Sequence, residues 1–215
     1  MTEESARVLH TSPASPFARR VRVVLKEKNL TYQEVLGSLQ NEQYGATNPN
    51  LQIPFLVDGP TSLFDSAAIV DYLLRTYPTP ASDLIQPPLA SSITRPDHHV
   101  ADTQILTIIS SISDALVFVR QMKSKDEITQ EQSNYLSRMV KRSELGLDWL
   151  EKKAQESGPE GFAPDMFSIM DLNLICMLEW IDFRGLLNWH GRSGLEAIVE
   201  FHSKRPSLIE TQPYE

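Results

Sequence analysis

Residues 12–30 read SPASPFARRVRVVLKEKNL, a turn-forming stretch that runs into a helix. Phe17, Val21, Val24 and Leu25 fall at i, i+4, i+7 and i+8 and line one face at the helical period, while Arg19, Arg20, Arg22, Lys26 and Lys28 take other directions. Pro16 suits the first helical position, where a missing N–H costs nothing, and Ser15 suits the N-cap. Upstream, Ala6–His10 has the composition of a short strand. Downstream come a strand at Thr31–Leu36, a polar stretch from Gly37 to Asn50, a strand at Phe55–Val57, the Gly59-Pro60 turn and a brief strand at Ser62–Phe64. A second helix, Ser66–Tyr77, turns Ile69, Val70, Leu73 and Leu74 inward. The order is β-α-β, then β-β-α.

The character of the chain changes at residues 81–96. The wider stretch 78–96, PTPASDLIQPPLASSITRP, holds five prolines and no sustained period, as linkers do. Beyond it the pattern is helical only, with segments at His98–Met122, Thr129–Ser157, Ile169–Phe183 and Leu195–Lys204. This predicts an α/β domain over 1–80, a linker over 81–96 and an all-helical domain over 97–215. Charge divides the same way: residues 1–82 carry 7 basic and 8 acidic side chains, leaving 13 and 20 for the rest.

Composition excludes several function classes. The 215 residues are 41% hydrophobic and 22% charged, ordinary for a folded globular protein, and the formal charge of −8 has the wrong sign for gripping phosphate backbones. No nucleic-acid partner is expected. The sole cysteine, Cys176, cannot pair within the chain, so no disulfide framework or multi-cysteine metal site is available, and a reducing cytoplasm is the expected location. The acidic start MTEESARVLH is not a signal peptide, no apolar run approaches the roughly 20 residues that span a bilayer, and no membrane partner is expected.

Three places can carry chemistry. The TSPASPF turn sets hydroxyls between a strand and a helix, where unpaired N–H groups and the helix dipole favour an anion; Ser15 is either a helix cap alone or also a group facing that anion, and Ser12 reads as a turn residue. Ile53-Pro54 opens a strand at a position that needs no ladder donor; with roughly 5–6% of X-Pro bonds cis in folded proteins, local sequence argues for trans. Asp65-Ser66 puts a carboxylate and a hydroxyl at a helix start, where capping again accounts for both. Elsewhere, adjacent His98 and His99 point about 100° apart on a helix and cannot share a metal. Cys176 lies in the apolar run LNLICMLEWI and reads as core, and Ser168 with Asp171 has the spacing of a structural capping box.

Taken in order, SPASPFARRVRVVLKEKNL, NPNLQIPFLVDG, LFDSAAIVDYL and FSIMDL resemble the first turn and helix, the cis-proline strand, the acid-serine helix start and the buried-helix capping box of the glutathione S-transferase superfamily. The serine in the turn, DALVFVRQ and the closing RPSLIETQP are most similar to its bacterial cytosolic branch. The resemblance implies a thioredoxin-like N-terminal domain, an all-helical C-terminal domain, a homodimer, a role in detoxification, and glutathione as co-substrate with a small electrophile and no metal. It makes Ser15 the thiol-activating hydroxyl and Pro54 cis, with Ile53 pairing its backbone to the cysteinyl unit. Asp65 and Ser66 would hold the γ-glutamyl end, with Phe17 and Gln52 completing the site. Two departures stand out: Asn50-Leu51 replace the usual glycine before the cis-proline, and Asp65 replaces the commoner glutamate. Alternatives within the same fold are a glutathione-dependent peroxidase or reductase, or a non-catalytic glutathione-binding or regulatory protein. Ser15 in place of cysteine rules out glutaredoxin-like exchange through a mixed disulfide at that position.

Overall fold

A computed structural model describes residues 7–37, 47–77, 89–90, 96–163 and 166–215. The chain falls into two compact units, Met1–Leu89 with Arg205–Glu215, and Ala90–Lys204.

In the first unit a four-stranded sheet has the order β2-β1-β3-β4, built from β1 (Val8–Thr11), β2 (Gln33–Leu36), β3 (Phe55–Asp58) and β4 (Thr61–Phe64). β1 runs parallel to β2 through the crossover helix α1 (Pro16–Glu27); β3 is antiparallel to both β1 and β4. Helix α2 (Ser66–Thr76) follows β4. Leu9, Val21, Val24, Leu25, Leu56, Ile69 and Leu73 are fully buried and form the core between sheet and helices. This is the thioredoxin-like arrangement expected. At the sheet end where β3 finishes, Asp58 pairs with Arg7 at 3.2 Å and accepts from the hydroxyls of Tyr72 and Tyr77 at 3.2 and 2.6 Å, which pins α2 to the strands.

The closing segment departs from the expected boundary. Residues 205–215, assigned above to the helical domain, belong to the first unit, and α7 (Pro206–Ile209) lies against α1. Its contacts explain why Arg19 and Arg22 are buried. Arg19 Nη2 donates to the Leu208 carbonyl at 3.2 Å, Arg22 Nη2 to the Thr211 carbonyl at 3.3 Å, and Glu27 accepts from Arg205 and Ser207. The polar side of α1 is therefore covered by residues about 190 positions away.

The second unit comprises α3 (His99–Lys125), α4 (Asn134–Ser157), α5 (Ile169–Arg184) and α6 (Ser193–His202). Helix α5 is apolar nearly all round and twelve of its sixteen residues are buried, Cys176 among them, which is the pattern of a central helix. Its start is the expected capping box: Ser168 Oγ accepts from Asp171 N at 3.1 Å, and the Asp171 carboxylate accepts from Ser168 N at 3.0 Å. From α4, Glu151 accepts the first N–H groups of α6, from Gly194 and Leu195, at 3.0 Å each. A Cβ at Gly194 would lie 2.9 Å from the Gln155 backbone nitrogen, so glycine permits that close approach.

Two details differ from the sequence reading. The segment after the linker is not wholly helical, because Phe167–Ser168 forms a short strand. Helix α3, at 27 residues, is long and apolar enough by length and composition to cross a membrane. Yet Ile105, Ile109, Ile112 and Leu116, spaced i, i+4, i+7 and i+11, are buried, and the helix packs on α4 and α5 as a core helix does. Apart from Leu89–Ala90 and Pro96, the predicted linker 81–96 lies outside the described residues.

Candidate active site

Strand register gathers the sequence-predicted residues. His10 pairs with Phe55 and Phe55 with Phe64, so the turn after β1, the loop before β3 and the start of α2 after β4 all emerge at one end of the sheet. Helices α1 and α2 both begin at that end, and their first N–H groups lack intrahelical partners. With strands about 4.8 Å apart, the ends of β1 and β4 stand about 10 Å from each other, the length of an extended tripeptide at about 3.4 Å per residue.

Ser12 to Ser15 form a β-turn closed by the Ser15 N–H on the Ser12 carbonyl at 3.1 Å, with Pro13 and Ala14 at its centre. Ser15 then caps α1, its Oγ accepting from Ala18 N at 3.2 Å. The two readings of Ser15 are compatible, because a cap uses an oxygen lone pair whereas a thiolate needs the hydroxyl hydrogen. Among the described residues no acceptor takes that hydrogen. Phe17, half-buried in the first turn, carries the Arg20 guanidinium over its ring at 4.9 Å. Burial lowers the pKa of His10 on β1, whose ring lies tilted against that of Phe55 with centroids 5.5 Å apart.

The loop before β3 is held by a residue that sequence reasoning did not single out. Buried Asn48 accepts from Leu51 N through its carbonyl at 3.0 Å and donates from Nδ2 to the Gln52 carbonyl at 2.7 Å. Leu51 takes φ 50°, the left-handed conformation a glycine adopts freely, at a cost of about 1–2 kcal/mol for leucine. The Ile53-Pro54 bond is cis, against the local-sequence expectation and as the resemblance implied. Pro54 is buried, Gln52 exposed, and the β1–β3 ladder stops at Phe55, so the Ile53 backbone lies beyond it.

At the third corner Asp65 has φ 71° and ψ 125°, a sparsely populated combination of the kind that clusters at functional sites. Its Oδ1 accepts from Ala67 N at 2.8 Å and Ala68 N at 3.1 Å, capping α2 while the side chain stays exposed. Ser66, the first residue of α2, is buried. The site thus offers two helix N-termini, a free-standing edge of backbone at the cis-proline, one hydroxyl donor and one exposed carboxylate. That set suits an extended, zwitterionic peptide-like ligand.

A thioredoxin-like unit with a cis-proline loop and two helix starts at one sheet end defines the class. Residues 9–81 match the family of glutathione S-transferase N-terminal domains. Glutathione S-transferase from Silene vulgaris is 29% identical over 190 residues, covering 80% of this chain and 81% of that protein. Glutathione S-transferase 3 from Zea mays is 39% identical over 82 residues, so the matched part spans only 37% of that relative. A glutathione S-transferase from Methylobacillus flagellatus, solved with GSH bound, has a TM-score of 0.79 at 27% identity and covers 97% of this chain and 100% of its own. The chain is thus similar to glutathione S-transferases, over residues 9–81 to their N-terminal domain and over most of its length to relatives and solved structures of that name.

Proposed function

We propose that the protein is a glutathione transferase that joins the glutathione thiolate to a small electrophile. The observation that carries this reading is the convergence of the Ser15 turn, the Ile53-Pro54 edge and the Asp65-Ser66 helix start at one end of the sheet, at tripeptide spacing. The γ-glutamyl carboxylate fits the α2 N-terminus at Ser66, the ammonium fits Asp65, and the cysteinyl backbone fits Ile53. The glycyl end falls near Gln52, and the thiol faces Ser15 and Phe17. In the reaction the sulfur forms a bond to the electrophilic centre, the leaving group departs with its electron pair, and the thiol proton has already passed to solvent.

A model thiol has a pKa of about 8.5, so little of it is nucleophilic at neutral pH. Lowering it by about 2 units takes about 2.7 kcal/mol of preference for the thiolate. A charge-assisted hydrogen bond from Ser15 supplies about 1.5–3 kcal/mol and the α1 N-terminus about 0.3–1, which together suffice without a metal or a base.

The Asp65 role has a clean test. Asn is as good an N-cap as Asp and tolerates positive φ, so Asp65→Asn keeps the helix start but loses the charge that faces the ammonium. Glutathione Kd measured by calorimetry should rise about 10-fold, equivalent to about 1.4 kcal/mol, with thermal stability unchanged. An unchanged Kd would remove Asp65 from the site.

We further propose a homodimer, in keeping with the family and with the exposure of Phe118, Tyr135 and Leu145 on α3 and α4. Sedimentation equilibrium at micromolar concentration should give about twice 24.3 kDa; a single species at 24.3 kDa would contradict it.

A further inference from the structure

We propose that Arg22 is a positioning residue for the Ser15 turn, tying it through Pro13 to the returning C-terminal segment. This rests on the assignment of Ser15 to the glutathione thiol. Arg22 is 3% exposed, and its Nη2 donates both to the Pro13 carbonyl at 3.2 Å and to the Thr211 carbonyl at 3.3 Å. Pro13 is the second residue of the turn that Ser15 closes, so its carbonyl belongs to the central peptide of that turn. That peptide sets the turn type: type I and type II differ chiefly by its flip, and while proline at i+1 accepts either, Ala14 at i+2 lacks the positive φ that type II needs. Because C=O and N–H of a trans peptide point oppositely, gripping the Pro13 oxygen fixes the whole Pro13-Ala14 plane and with it the approach of the chain to Ser15.

The far acceptor is itself anchored. Thr211 is fully buried, its Oγ1 donates to the Ser207 carbonyl at 2.7 Å, and Ser207 and Arg205 both bind Glu27 at the other end of α1. Arg19 adds a bond to the Leu208 carbonyl. The C-terminal segment is thus clamped along α1, and Arg22 is the side chain that passes this rigidity to the turn. A site whose donor must meet a sulfur within a few tenths of an ångström loses rate when its support loosens, by up to about 100-fold for a 1 Å error.

Arg22→Met keeps the bulk of the side chain and removes both bonds; Arg22→Lys keeps a cation with three donors. In the full-length protein, Arg22→Met should lower kcat about 10-fold and raise the pKa of the bound glutathione thiol by about 0.5–1 unit, while KM for the electrophile stays put. Arg22→Lys should restore most of both. A merely structural role would lower melting temperature without moving the bound-thiol titration. Should Arg22→Met fail to fold, Arg22→Gln, whose shorter amide reaches one carbonyl at most, serves in its place with the same expectation. A folded Arg22→Met or Arg22→Gln protein with wild-type kcat and bound-thiol pKa overturns the proposal. Wild-type protein that does not bind glutathione instead overturns the functional reading on which it stands.

Discussion

Replacing Ser15 by glycine should lower the conjugation rate by about 10- to 100-fold and return the bound thiol toward its free pKa, with the fold intact. The factor follows from losing a hydrogen bond to an anion, about 1.5–3 kcal/mol, at about 1.4 kcal/mol per decade. Glycine is nearly as good an N-cap as serine, differing by only a few tenths of a kcal/mol, whereas alanine also loses the cap and about 1 kcal/mol of stability. Comparing Ser15→Gly with Ser15→Ala therefore separates the bond that Oγ accepts from Ala18 and the bond its hydrogen would donate to sulfur. Equal bound-thiol pKa and equal rate in Ser15→Gly and wild type would reduce Ser15 to a cap and hand activation to Ser12 or a backbone N–H.

The largest loss of stability should come from Asp171→Ala. The Asp171 carboxylate is fully buried and accepts from Phe162 N at 2.8 Å, Ser168 N at 3.0 Å and the Ser168 hydroxyl. Alanine would strand two buried backbone N–H groups at about 1–3 kcal/mol each and break the reciprocal cap of the central helix. The sum is about 3–5 kcal/mol, or about 10 °C in melting temperature for a chain of this size. The packing leaves no slack: Gly161, at φ 113°, sits so close that a Cβ there would lie 2.4 Å from Asp171 Oδ1. A fall of less than about 3 °C on calorimetric scanning would show that water replaces the carboxylate without penalty. Catalytic parameters of the surviving folded fraction should be unaltered.

Local signals were read well where local physics decides the outcome. The Ser168–Asp171 box and the Ser15-Pro16 helix start each depend on neighbours within four positions, and each stands in the structure as expected. What eluded the sequence is non-local or conformational. The sequence places Arg19 and Arg22 off the apolar face of α1 and does not show what covers them, because their partners, Leu208 and Thr211, lie 189 or more residues on in the returning segment. The positive φ of Leu51 leaves no mark in residue type, since leucine rarely adopts that conformation. Local sequence argued against the cis bond at Pro54, and family resemblance alone suggested it. Asn48 could have been singled out, since an asparagine followed by proline is a turn former whose side chain bonds nearby backbone.

The central claim is that the end of the sheet beside Ser15 binds glutathione and ionises its thiol. Titrating thiolate absorbance against pH in the wild-type protein, saturated with glutathione and corrected for free ligand, measures binding and activation together. A bound thiol that ionises about 2 units below the ordinary value, near pH 6.5, is the predicted result. A thiol that titrates at about 8.5 in the presence of the protein, indistinguishable from free glutathione, would contradict it.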